Sequence, residues 1–188
     1  MGPRPARGRL PALWLAGIGL LSVGVVVTLY LVGRAQTVNP AFSLFGQQYL
    51  AAVSLKAVLA SAALGLAVVQ VLLALWMYRK LPLAGRPPRA VRLSHRVLGF
   101  ALVALTAPIA LHCLIAYGVQ LTSVRVAVHS LAGCFFYGAF VAKVLLVQTK
   151  RLPGWVLPVA GGMLAVTVGV LWYSSALWYY NGYQLPRL

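Results

Sequence analysis

Five uninterrupted apolar stretches constrain this chain more than any other feature. They cover about residues 12–32, 49–77, 97–117, 126–147 and 155–177. Each is about as long as the roughly 20 residues that a helix needs to cross the hydrocarbon core of a bilayer, or longer, and none shows the ten-residue alternation of a membrane β-barrel. The sequence therefore predicts an all-α, polytopic membrane bundle of five transmembrane helices. Residues 1–188 form one domain, because no part outside the stretches is long enough for a core of its own.

The basic residues collect in alternate connections, and this pattern predicts the orientation. Three arginines precede the first stretch, six basic residues follow the second, and Lys150 and Arg151 follow the fourth, whereas the other side holds only Arg34, Arg125 and Arg187. Because Lys and Arg favour cytoplasmic loops, we expect a cytoplasmic N-terminus and an extracytoplasmic C-terminus. The basic connection after the second stretch, rich in Pro and Arg, is expected to be irregular up to residue 96. The first stretch also has a signal-peptide layout, but its length favours a retained helix.

The charge balance indicates which class of binding partner is expected. The chain has 16 Lys and Arg and no Asp or Glu. These charges flank apolar stretches and do not form a basic face on a soluble domain. Anionic lipids are therefore the expected partners, and nucleic acid is not.

Two histidines, His112 and His129, lie close to the same short connection between the third and fourth stretches. With a rise of about 1.5 Å per residue, they lie about 9 Å and about 6 Å below the ends of two helices. The short connection makes these helices antiparallel neighbours. Imidazoles at equal depth suit the two axial positions of a b-type haem near the extracytoplasmic side. The alternative is a pair of polar residues that form hydrogen bonds across helix interfaces.

Three other residues are candidates for contact with such a haem. Gly133 follows His129 by one helical turn and leaves room for a flat macrocycle. Arg125 precedes His129 by one turn, at the water side, where haem propionates would project. Lys56 lies several residues inside the second stretch, where an ammonium is costly unless it snorkels or pairs. A propionate or a lipid phosphate is its candidate partner.

The third histidine, His95, belongs to a different level. It precedes His112 by 17 residues, which is about 25 Å along a helix, so the two cannot hold one haem. Gly99, one turn after His95, repeats the His-then-Gly pattern and leaves a second haem open there; the alternative is a histidine at headgroup level. Cys113 and Cys134 lie outside any C-x-x-C-H haem motif and are interpreted as packing residues.

The segments SHRVLGFALVALTAPIALHCLIAYG and VAVHSLAGCFFYGAFVAKVLLV resemble the helices of small membrane cytochrome b proteins of the ferric-reductase-like and cytochrome b-561 types. The resemblance covers about a quarter of the chain. It implies bis-histidine haem b and transmembrane electron transfer, with His112 and His129 as the matching ligands. Those families usually hold two haems through four histidines, whereas this chain has three. The whole chain also resembles a family of small five-helix membrane proteins from high-GC bacteria, which implies a bacterial cytoplasmic membrane and no particular function.

The function expected from these observations is that of a haem b-binding electron-transfer subunit in a membrane complex. It would link the quinone pool or a membrane redox partner to an extracytoplasmic redox protein. The alternative, of a different class, is a cofactor-free membrane scaffold or assembly subunit whose histidines join helices. A stand-alone enzyme is not expected, because no set of acid, base and nucleophile converges in the sequence.

Overall fold

The computed structural model describes residues 9–81, 85–149 and 152–185. Within these ranges the long helices are α1 (Arg9–Arg34), α2 (Tyr49–Met77), α3 (Arg89–His112), α4 (Val124–Gln148) and α5 (Val156–Trp172). Two of them continue as π-helical turns, α3 over Cys113–Tyr117 and α5 over Tyr173–Leu177, and α5 closes with the α-helical turn Trp178–Tyr180. Among the described residues, five helices are long and apolar enough to cross a membrane. The prediction of an all-helical chain with five membrane-length helices is confirmed.

The connections gather at two ends of the bundle, because consecutive helices alternate in direction. We call the end formed by residues 35–48 and 118–123 the upper end, and the end formed by residues 78–81, 85–88, 149 and 152–155 the lower end. His112 lies in the last turn of α3 and His129 in the second turn of α4, so both belong to the upper end. His95 lies in the second turn of α3, at the lower end.

The start of α3 differs from the expectation. The helix begins at Arg89, immediately after Pro88, whose backbone is extended. Residues 89–96, expected to be irregular, are therefore helical. Proline is a natural boundary here because it disfavours helical backbone in the residue before it. The exposed side chains of Arg92 and Arg96 explain why the helix can extend beyond its apolar part, since long basic side chains keep their charge in water.

The helices pack in a ring in which one side is loose. α2 packs against α3 and α5, α5 packs against α4, and α1 packs against α4 and the π-helical turn at the end of α3. A buried cluster fills the middle: Ala67, Leu102, Phe136, Leu164 and Val168. α3 and α4 face each other through long side chains and not through close backbone packing. The ring centroids of Phe100 and Phe140 are 6.4 Å apart, and the Tyr137 hydroxyl donates to Thr106 Oγ1 at 3.2 Å.

Two glycines permit close approaches of α1, one in the middle of the bundle and one at the upper end. A Cβ atom at Gly138 would lie 2.7 Å from the Ser22 carbonyl oxygen, so α1 can approach α4 only because no side chain is present. Gly118 ends the π-helical turn of α3 with a φ of +65°, and a Cβ atom there would overlap the Gly33 carbonyl oxygen. That carbonyl accepts a hydrogen bond from the Val119 amide at 2.9 Å. The end of α1 is thus fixed against the connection between α3 and α4.

Candidate functional site

The first polar group at the upper end surrounds the ammonium of Lys56, and we call it the Lys56 cluster. Lys56 Nζ lies 3.5 Å from His112 Nδ1 and 3.9 Å from Cys113 Sγ. It also lies 4.3 Å from the centroid of the Tyr117 ring, in cation–π contact. All these partners are neutral. A cation inside a membrane-length helix is therefore stabilised by a lone pair, a thiol and a π face, without a counter-charge.

His112 is almost completely enclosed in this cluster, with 2 % of its surface exposed. Its Nε2 atom lies 2.8 Å from the Phe42 carbonyl oxygen. Since a carbonyl can only accept, the proton is on Nε2, and Nδ1 keeps the lone pair that faces Lys56. The rings of Phe42 and Tyr117 flank the imidazole, each with its centroid 5.8 Å away. His112 thus joins α3 to α2 and to the connection 35–48.

The π-helical turn Cys113–Tyr117 shapes this cluster. The Gly118 amide donates to the Cys113 carbonyl at 2.9 Å, five residues back, which is the wide spacing of a π turn. The Ala116 carbonyl is left free for the Asn39 amide, which donates to it at 2.7 Å. Such turns occur frequently at functional sites. Here the turn ties the connection 35–48, which carries the Phe42 carbonyl, to the end of α3.

The second polar group is centred on Ser174, and we call it the Ser174 cluster. Arg125 Nη1 donates to the Ser174 carbonyl at 2.9 Å, and the guanidinium carbon lies 3.7 Å from the centroid of the Trp178 ring. His129 Nδ1 lies 3.0 Å from Ser174 Oγ. Ser174 belongs to the π-helical turn of α5, so both π turns contribute to polar clusters at the same end.

The hydroxyl of Ser174 determines the tautomer of His129. Its single proton is directed to the Val170 carbonyl, 2.7 Å away. Ser174 Oγ therefore accepts from His129 Nδ1–H, and the lone pair of the imidazole is on Nε2. This arrangement, in which Nδ1 is held by a neighbouring acceptor, is the one that orients histidines whose Nε2 binds a metal.

The predicted site residues are brought together in part. Lys56 contacts His112, and Arg125 meets His129 through Ser174, but no hydrogen bond or ring contact among the described residues joins His112 directly to His129. Lys56 is nevertheless close enough to act electrostatically on His129. Gly133 faces α5, where a Cβ atom would lie 4.0 Å from Leu171 Cδ2.

The remaining predicted residue, His95, is separate from both clusters. It lies at the lower end, where its backbone carbonyl accepts from Gln70 Nε2 at 2.8 Å. Its Nδ1 atom is buried and has no hydrogen-bond partner among the described residues. Among those residues no three histidine or cysteine side chains converge on a possible metal position.

Several functional partners were missed from the sequence. The Phe42 carbonyl left no signal, because a backbone atom is independent of residue type. Trp178 gave no signal either, because its contact with Arg125 depends on how α4 and α5 pack. The one available signal for Ser174 was the pair of serines inside an otherwise apolar helix.

Two surface grooves lie away from the histidines. One, of about 450 Å³, is lined at the upper end of α2 by residues that include Gln47 and Ser54. The other, of about 300 Å³, is an apolar groove between α2 and α5 that includes Ala67 and Ala165. No histidine lines either groove.

The five apolar helices define the class of the protein as a multi-pass α-helical membrane protein. The chain belongs to a family of unknown function, DUF6529, whose model matches residues 15–187. Comparison with curated proteins and with solved structures found no match. The family match carries no cytochrome b assignment, so the resemblance of α3 and α4 to cytochromes b stays a prediction.

Proposed function

We propose that this chain is a haem b-binding electron-transfer subunit of a bacterial cytoplasmic membrane, with one haem held between His112 and His129. The distribution of Lys and Arg favours a cytoplasmic lower end and an extracytoplasmic upper end. The haem would then lie near the extracytoplasmic side. From there the subunit would connect the quinone pool or a membrane redox partner to an extracytoplasmic redox protein.

The observation that carries the proposal is the similar depth of two imidazoles on the neighbouring helices α3 and α4, at the upper end of the bundle. His112 is six residues from Gly118 and His129 is five residues from the start of α4 at Val124, so their depths are about 9 Å and about 7.5 Å. They lie on α3 and α4, whose backbones do not pack closely. Facing helices of a bundle are where cofactors are commonly held.

The donor set fits a bis-histidine haem, with one rearrangement. His129 is already oriented through Nδ1, and its Nε2 carries the lone pair that a ligand needs. His112 would have to exchange its bond to the Phe42 carbonyl for the iron. That exchange requires a movement of the connection 35–48, while Lys56 could continue to contact the other side of the cluster.

The neighbouring cations suit an acidic cofactor. Lys56 and Arg125 lie at this level and have only neutral partners in the described structure. Haem carries two propionates, which would provide the counter-charges that a sequence without Asp or Glu lacks. When bound, the haem supplies a one-electron iron couple. The protein residues would hold it, balance its charge and exclude water.

The test is an absorption spectrum of the full chain purified from haem-replete cells. We expect a Soret band, sharp bands in the reduced state and one haem per chain by the pyridine haemochrome assay. His112→Gln and His129→Gln should each abolish the low-spin spectrum. His95→Gln is the matched control and should retain one haem per chain. A wild-type stoichiometry of two, reduced to one by His95→Gln, would instead establish a second haem at the lower end.

The second candidate is a cofactor-free membrane scaffold or assembly subunit. It is favoured by one specific observation: both imidazoles already bond to protein groups that join different segments. Under this alternative the purified protein is folded and colourless. Each glutamine variant then loses about 0.6 kcal/mol of stability, the average for a hydrogen bond between membrane helices.

A further inference from the structure

A third polar group lies in the lower half of the bundle, apart from the proposed haem site. We call it the lower cluster, and it consists of Gln70 on α2, His95 on α3 and Lys143 on α4. Two glycines lie beside its polar atoms. A Cβ atom at Gly99 would lie 3.5 Å from Gln70 Nε2, and one at Gly161 would lie 3.5 Å from Lys143 Nζ.

The contact between Phe100 and Phe140 places His95 and Lys143 at similar levels. Their ring centroids are 6.4 Å apart, which sets the antiparallel register of α3 and α4. Toward the lower end from this contact, His95 is five residues along α3 and Lys143 is three residues along α4. These offsets correspond to about 7.5 Å and about 4.5 Å. The two side chains are also close enough for Lys143 to act electrostatically on His95.

Two polar atoms of this cluster, Lys143 Nζ and His95 Nδ1, have no hydrogen-bond partner in the described part of the chain. Lys143 Nζ makes no hydrogen bond or ion pair with any described residue, although its side chain is half-buried. His95 Nδ1 is buried without a hydrogen-bond partner. No carboxylate side chain exists anywhere in the sequence to neutralise the ammonium. An ionisable group in a membrane helix ordinarily pairs or marks a binding site.

We infer that the lower cluster binds a phosphate group, and that its source is the phosphodiester of an anionic phospholipid. Phosphate oxygens accept strongly from an ammonium and can also accept from an imidazole N–H. The headgroup would enter between α3 and α4, where the backbones are not closely packed. Lys143 is five residues from the end of α4 at Gln148, so it lies about 7.5 Å below that end. This depth is within reach of the headgroups of the adjacent leaflet. Basic pockets between membrane helices are known to select anionic headgroups.

The experiment measures binding of short-chain phosphatidylglycerol to the delipidated full chain in a zwitterionic detergent, by native mass spectrometry or thermal shift. Short-chain phosphatidylcholine is the neutral-headgroup comparison, and inorganic phosphate is the free-anion comparison. We expect phosphatidylglycerol to bind at least tenfold more tightly than phosphatidylcholine. Lys143→Gln should remove most of this preference, and Lys143→Arg should retain it. His95→Gln should weaken it less, because glutamine can still donate a hydrogen bond.

Arg96→Gln is the matched control, since it removes one positive charge beside His95 from an exposed position. Retained selectivity in this variant, together with its loss in Lys143→Gln, supports the site. Saturable binding of inorganic phosphate that depends on Lys143 also supports the phosphate chemistry, with a free anion as its source. Equal binding of both lipids by the wild type would overturn the inference. So would equal losses in Arg96→Gln and Lys143→Gln, because the effect would then be general surface electrostatics.

Discussion

The close approach of α1 to α4 at Gly138 gives a prediction whose size follows from the structure. In Gly138→Ala the new methyl carbon would lie 2.7 Å from the Ser22 carbonyl oxygen, and it would overlap a methyl group of Val26. Ordinary contact begins at 3.4 Å, so the two helices must separate by about 0.7 Å at this point. The Ser22 carbonyl is part of the helix backbone and cannot rotate away as a flexible side chain can. The strain therefore acts on the packing of α1 against α4.

The matched control is Gly24→Ala on α1, where no atom lies within 4 Å of the added carbon. Both variants gain the same helix propensity, at most about 1 kcal/mol, so that gain cancels when they are compared. Overpacking of a well-packed interface costs about 1–3 kcal/mol. We therefore expect Gly138→Ala to be about 1–3 kcal/mol less stable than Gly24→Ala.

The measurement is reversible unfolding of the purified chain in mixed micelles with increasing mole fraction of dodecyl sulfate, followed by tryptophan fluorescence. Gly24→Ala should match or slightly exceed the wild type. If the two alanine variants unfold at the same dodecyl sulfate fraction, α1 does not pack on α4 through Gly138, and the close approach of these two helices is wrong.

Four further predictions concern the upper end. Ser174→Ala removes the acceptor of an imidazole N–H and should cost about 0.6 kcal/mol in the same unfolding assay. In a separate measurement, Ser175→Ala should leave the haem spectrum unchanged if haem is present. Gly118→Ala places a side chain at positive φ and should lose more than the roughly 1–2 kcal/mol of that strain alone. Lys56→Gln should lower the midpoint potential of the proposed haem, because a cation at roughly 8 Å favours the reduced state by about 2 kcal/mol at an effective dielectric near 20, before screening; an unchanged potential with haem retained would refute its placement. A cysteine introduced in the connection 118–123 of a cysteine-free background should react with a membrane-impermeant maleimide added to intact spheroplasts, and protection there would reverse the proposed orientation.

The helices were predictable because a bilayer requires an apolar composition over a fixed length of helix. About twenty apolar residues cannot be left in water and cannot cross lipid except as a helix or a closed barrel. α2, predicted at 49–77, is observed over Tyr49–Met77. α3 shows the limit of this reasoning, since its first turns are basic and lie beyond the apolar part. Hydropathy identifies the part of a helix that contacts lipid. The residue at which α3 begins depends instead on Pro88 and on basic side chains that can reach water.

The contacts of the candidate site were less predictable, because they depend on how helices rotate against one another. Helical periodicity placed Arg125 and His129 on one face, and both do meet Ser174. It gave no sign of Ser174 itself, which belongs to a π-helical turn. A π turn inserts a residue into the ordinary spacing and changes the face that follows. The contact between Lys56 and His112 likewise depends on the packing of α2 against α3, for which sequence periodicity supplies no angle.

Because the sequence has no acidic residues, the cations at both ends of the molecule have no carboxylate side chain to pair with. Lys56 and Arg125 at the upper end are solvated by neutral groups, namely lone pairs, carbonyls and aromatic faces. Such partners lower the cost of burying a cation but leave its charge uncancelled, so an anion is still attracted to that end. Lys143 at the lower end lacks even neutral hydrogen-bond partners among the described residues. The need for an external anion is therefore greater at Lys143. Because the proposed sites lie at opposite ends, a colourless protein would remove the haem proposal and leave the lipid test at Lys143 unaffected.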